Sequence, residues 1–125
     1  MSQADNARVA RELTDAFDQG DMARLDALIA DDIIWHEIGR AEPRRGKEAL
    51  RAAGPGGSAD YEITGTLHDV LASDDHAIAL VDATATRGGK TLTYRTAEIY
   101  HLRDGRVTER WAFSDDTAAI TAFFA

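Results

Sequence analysis

Residues 95–116 read RTAEIYHLRDGRVTERWAFSDD, two runs of alternating apolar and polar residues around Asp104-Gly105, ending in two acids. Asp-Gly between such runs predicts a hairpin, because the two-residue turn that matches strand twist needs positive φ. Pairing Arg103 with Arg106 sets the register. Leu102 then faces Val107, Tyr100 faces Glu109, Glu98 faces Trp111 and Thr96 faces Phe113. Cross-strand partners share a face of the sheet. One face therefore carries aromatic and aliphatic residues plus Glu98 and, further along, Asp115. A carboxylate set among aromatics on a covered face is costly unless it finds a partner or a ligand.

The same logic extends to the preceding strands. A Gly88-Gly89 turn sets Ala85 against Leu92, Ala83 against Tyr94, Val81 against Thr96 and Ala79 against Glu98. A turn at Asp74-Asp75 sets Val70 against Ala79, His68 against Val81 and Thr66 against Ala83. The central strand thus gives the covered face almost only Ala and Val, which leaves space beneath the surrounding aromatics, as a ligand pocket requires. The opposite face, with Leu71, Ile78, Leu80, Asp82, Thr84, Ile99, His101 and Arg110, is too apolar for plain solvent and too polar for a core. It reads as a half-wet interface and predicts a homodimer through the convex face of the sheet.

Upstream, residues 7–19 place Val9, Leu13, Ala16 and Phe17 on one helical face, and Gly20 ends that helix. Asp21 caps a second helix with the stripe Met22, Leu25, Leu28 and Ile29. Residues 33–38, IIWHEI, predict a strand, 39–46 a loop and 47–53 a short helix. Residues 53–59, AGPGGSA, are read as a flap able to gate a cavity. Four long strands follow, at 61–73, 76–87, 90–103 and 106–114. Residues 117–124 form a last helix capped by Asp115 or Asp116. Two helices, a strand, a helix and an antiparallel meander make an α+β fold, with the helices closing the concave face of the sheet into a cone-shaped barrel.

At 125 residues with 44% hydrophobic content, the chain is read as one domain, 1–125, able to bury a core. A net charge of −8 excludes nucleic acid and anionic membrane as main partners, since both need a basic footprint. With no cysteine there is no disulfide, thiol nucleophile or thiolate metal site. The first residues show no apolar signal core, and no run is long enough to span a membrane, so a cytoplasmic protein is expected. There is no phosphate-binding glycine loop and no GxSxG elbow.

The stretches GDMARLDALIADDIIWHEIG, EPRRGKEALR and EIYHLRDGRVTERW, with the closing DD and AFFA, resemble the nuclear transport factor 2-like superfamily. Within it the chain is similar to the SnoaL-like and ketosteroid-isomerase-like branch, and the likeness spans nearly the whole chain. That resemblance implies the cone fold and an interior pocket for a small apolar molecule. It leaves isomerase, cyclase or other lyase, epoxide hydrolase and plain binder open. Ketosteroid isomerases carry an aspartate base at the loop-side end of the first strand, where His36 stands here. They carry a protonated aspartate in the third meander strand, where Glu98 stands. Their helix tyrosine aligns with Leu13 and is absent, which counts against steroid isomerisation. SnoaL-like cyclases use an acid in or near the last strand, for which Asp115 is the nearest candidate.

The catalytic candidates are therefore His36, Glu98 and Asp115. An imidazole can take and return a proton at physiological pH, or it can be a core histidine bonded to Glu98 or Trp111. Glu98 can orient His36, donate as a neutral acid, or pair with an arginine. Asp115 and Asp116 can equally be helix caps. Pocket-wall candidates are Phe17, Trp35, His68, Val81, Ala83, Tyr94, Thr96, Trp111 and Phe113. Arg44 and Arg45 sit on a loop at the expected mouth. His36, His68, Glu98 and Asp115 have metal-binding side chains but match no tight ligand spacing, so no metal and no cofactor are expected. The expected function is acid/base catalysis on a small apolar carbonyl, enol or epoxide. Its alternatives are a carrier of an apolar ligand, or a dimerisation module with a vestigial pocket.

Overall fold

The computed structural model describes residues 2–53 and 60–125. Apart from Ala53, which closes a helix, the expected flap lies outside the described residues. The order is α1 (Gln3–Gln19), α2 (Met22–Leu28), β1 (Ile29–Trp35), β2 (Arg44–Arg45), α3 (Lys47–Ala53), β3 (Glu62–Ala72), β4 (His76–Arg87), β5 (Lys90–Arg103), β6 (Arg106–Ser114) and α4 (Thr117–Phe124). The sheet runs β2-β1-β6-β5-β4-β3. β1 is parallel to β6 and all other pairs are antiparallel. This is the expected α+β fold. Among the described residues no helix is long and apolar enough to cross a membrane.

Local chemistry explains the boundaries. α1 starts four residues earlier than its apolar stripe suggests, because Ser2 and Asp5 form a reciprocal capping box. Gly20, at φ +66°, ends it, and its N–H bonds the carbonyls of Ala16 and Phe17. Asp21 caps α2, and Asp116 rather than Asp115 caps α4. β1 begins four residues earlier than the expected strand and ends at Trp35. The core lies between α1 and the concave face of the sheet. Val9, Ala10 and Leu13 of α1 pack with Ala77, Ala79, Tyr100 and Val107 of the strands, all at most 3% exposed. Asn6 anchors the far end of α1, donating from Nδ2 to the carbonyls of Ser73 and Asp74 in the β3–β4 turn.

The β4–β5 register is as expected, unbroken from Arg87↔Lys90 to His76↔His101. Two other registers are broken by bulges. In β3, Val70↔Ala79 holds, but the register shifts between Leu67 and Asp69, leaving His68 as the extra residue. Leu67 and Gly65 then take the places opposite Val81 and Ala83 that His68 and Thr66 were expected to fill. In β6, Leu102↔Val107 holds, but His101 pairs with Glu109, so Thr108 is extra. Its hydroxyl donates to the His101 carbonyl at 3.4 Å. Beyond that point every side chain of β6 exchanges faces relative to the expected register. Tyr100 faces Arg110, Ile99 faces Trp111 and Ala97 faces Phe113.

Candidate functional site

The small residues of β4 leave a cavity of about 670 Å³ between the sheet and the helices, within the roughly 300–1,000 Å³ range of small-molecule sites. Phe17, Trp35, Val81, Ala83, Tyr94, Thr96 and Glu98 line it, as expected. His36, His68, Trp111, Phe113 and Asp115 do not. The β6 bulge turns Trp111 and Phe113 to the convex face, where Phe113 is 63% exposed. The β3 bulge carries His68 to an exposed position. The Asp115 carboxylate accepts the Arg95 backbone N–H at 3.0 Å, and so ties the end of β6 to β5.

The placement of His36 follows from strand period. Ile33 and Trp35 point inward, so the side chain between Trp35 and Glu37 points out. Its ring stacks on Trp111 at 5.3 Å with a 4° interplanar angle, and Nε2 lies 2.7 Å from Glu109 Oε2. Glu37, one residue on, enters the cavity instead. Trp35 and His36 cannot both face one pocket from a regular strand. That constraint was present in the sequence and points to Glu37.

Arg110 is the other cavity residue missed: the expected register put it on the opposite face, and the β6 bulge turns it inward. It lies 9% exposed at the cavity wall. Its Nε and Nη2 donate to Glu98 Oε1 at 3.0 and 2.5 Å, Nη1 donates to the His36 carbonyl at 2.8 Å, and Cζ sits 4.4 Å from the Trp35 ring centroid. Of the three alternatives for Glu98, pairing with an arginine is the one the structure contains. Glu98 Oε1 receives both contacts. Oε2 accepts no hydrogen bond among the described residues, and it is not a sealed orphan, so it opens to the cavity. A second pair lines the same cavity: Arg44 donates through Nε and Nη2 to the two oxygens of Glu37, at 2.7 and 3.4 Å.

Three tyrosines line the cavity beside these pairs. Burial, and then the charge of Glu98, push the Tyr94 phenol up to about 12. Burial and Glu98 push Tyr100 up further, and burial with Glu37 raises Tyr61. All three stay neutral hydrogen-bond donors across the physiological range. The Tyr94 hydroxyl has no hydrogen-bond partner among the described residues and is not sealed off. The remaining cations in the lining are paired too: Lys47 with Asp26 and Asp31, and Arg51 with Asp26. Among the described residues no three metal-binding side chains come together, and His36, His68 and Asp115 are separated from Glu98 by the sheet or its edge.

Known proteins place this architecture. An uncharacterized Mycobacterium tuberculosis (H37Rv) protein, Rv0034, is 34% identical over 116 residues, 88% of each chain. The structure of Bal32a, from a soil-derived mobile gene cassette, superposes with a TM-score of 0.86 at 31% identity, covering 98% of both chains. A Mycobacterium tuberculosis LEH-like epoxide hydrolase shares the fold, with a TM-score of 0.75 at 17% identity over 90% of this chain and 84% of that one. The SnoaL-like domain matches residues 10–110. The chain belongs to the SnoaL-like family, on the nuclear transport factor 2-like fold.

Proposed function

We propose that this protein is a cofactor-independent acid/base enzyme for a small, neutral, mostly apolar molecule bearing a carbonyl, enol or epoxide oxygen. The observation that carries the reading is the buried Glu98–Arg110 pair with one carboxylate oxygen engaged and the other open to the cavity. Arg110 holds the carboxylate in place, and Glu98 Oε2 takes and returns the proton. Tyr94 donates to the substrate oxygen as charge builds there. Glu37 is the weaker candidate for the base, because Arg44 grips both of its oxygens. Neutral substrate is favoured because every cation in the lining already faces an acid, which leaves no free charge to hold an anion. Isomerisation, cyclisation or other lyase chemistry, and epoxide opening are the reaction types within this reading. The epoxide hydrolase among its fold relatives makes epoxides the first class to try. Steroid isomerisation is disfavoured, since the helix position for its tyrosine is Leu13, fully buried in the core.

The test is a panel of neutral epoxides, enones and phenols, screened for binding by thermal shift and for turnover by mass spectrometry. The reading expects turnover that Glu98→Gln abolishes while binding persists. Tight binding with no turnover across the panel replaces it with a carrier of an apolar ligand. A second copy docked on the convex face belongs to the same reading, supported by Phe113 and Leu71, 63% and 54% exposed beside Trp111, Ile99 and Leu80. Sedimentation showing only monomer at micromolar concentration rules that out.

A further inference from the structure

We infer that His36 is a positioning residue, which links the protonation of the outer His36–Glu109 pair to the inner Arg110–Glu98 pair. The link is built into three consecutive residues of β6. Glu109, Arg110 and Trp111 point out, in and out. The two outer residues hold the His36 ring, one by the 2.7 Å contact to Nε2 and one by stacking. The inner residue is held by the His36 peptide at two points. The His36 N–H donates to the Arg110 carbonyl at 2.9 Å, and Arg110 Nη1 donates to the His36 carbonyl at 2.8 Å. Ring and peptide of one residue therefore grip both faces of one strand. A shift of the ring against Glu109 moves the peptide that sets where the guanidinium sits, and Glu98 follows the guanidinium.

The outer pair is open to water, since the side chains of His36 and Glu109 are 31% and 25% exposed. A neutral His36 donates Nε2–H to the Glu109 carboxylate. Protonation turns that contact into a charge-assisted bond, which is shorter and stronger. The groups facing this pair are few. On β6 they are Glu109 itself and Trp111. On β5, His101 meets Trp111 edge-on at 4.7 Å, and on β4, His76 meets His101 at 4.3 Å. On β2, Arg45 lies opposite Ile34 on the same side of the sheet. Inside are Glu37, paired with Arg44, and Arg110 itself.

This inference rests on the proposed function for its catalytic meaning, but its test needs no substrate. The chain has two tryptophans, one on each side of the link. Fluorotryptophan labelling gives two fluorine NMR signals, Trp111 outside and Trp35 beneath Arg110, assigned by Trp35→Phe and Trp111→Phe. Across about pH 5 to 8, where histidine titrates, the Trp35 signal should step with the same midpoint as Trp111. The Trp35 step should vanish in His36→Gln, shrink in Glu109→Gln, which loosens the hold on the ring, and persist in His101→Gln. A flat Trp35 signal while Trp111 titrates overturns the link. So does a Trp35 step that survives His36→Gln or follows His101. If His36→Gln does not fold, Glu109→Gln decides: a Trp35 step of full size there overturns the link. Turnover, present or absent, tests the enzyme reading separately.

Discussion

Strand β5 belongs to two hairpins with nearly the same turn chemistry and opposite outcomes. Gly88-Gly89 has φ +56° and +79°, and Asp104-Gly105 has +53° and +77°. Both are turns with two left-handed residues, whose twist suits a hairpin. From the first, twelve pairs run without interruption. From the second, the ladder slips after two pairs, at Thr108. Charge separates the two. Without the slip, the concave face would bury Glu98 and Glu109 with no cation between them, and Arg110 would point outward. With it, Glu98 meets Arg110 inside, and Glu109 meets His36 outside. Burying two unpaired carboxylates costs several kcal/mol each, far more than the ladder contacts a bulge gives up. The β4–β5 hairpin faces no such conflict, since its inward residues on β4 are Ala and Val, and it stays regular.

The sharpest way to break this contrast, read by urea unfolding, is Arg110→Met, which keeps the register and removes only the cation, leaving Glu98 buried without it. It should cost about 3–5 kcal/mol, whereas Arg95→Met, in the exposed pair with Asp82 on the regular hairpin, should cost about 0–1 kcal/mol. Equal losses at the two sites would mean that burial does not distinguish the pairs. Smaller again are the turns. Gly105→Ala should cost about 1–2 kcal/mol for a left-handed residue with a Cβ, while Gly88→Asp should be nearly neutral, because Asp104 already occupies the equivalent place in the sister turn. A large loss at Gly88 would show that the two turns are not interchangeable.

The last effect vanishes at neutral pH. Tyr94 is raised to about 12 in the folded protein, from the usual 10. Above pH 10 the unfolded chain releases this proton while the folded chain keeps it, so stability is complete below 10 and falls as pH rises toward 12. Tyr94→Phe should flatten part of that fall. Absorbance of ionised tyrosine should show no group titrating near 10 before unfolding, since all three tyrosines are raised. A normal titration in the native state would place at least one phenol in open water.

Much was legible in the residues alone because its causes are local. Turn glycines with positive φ, an Asp cap before a helix, and alternation of period two each act within a few positions. They located α3, β4, β5, β6 and α4 to the residue, along with Phe17, Trp35, Val81, Ala83, Tyr94 and Thr96 of the cavity wall. The capping box at Ser2 is equally local. Which face a strand shows after a bulge has no local cause. One unpaired residue, His68 or Thr108, reverses every side chain beyond it, and the choice rests on which charges can be buried together across the sheet. Hence the cavity wall carries Glu98, Arg110 and Glu37 rather than His36 and Asp115. Alternation and turn chemistry set the strands and the cavity. Pairing of buried charge, which exists only once the strands lie side by side, set which residues look into it.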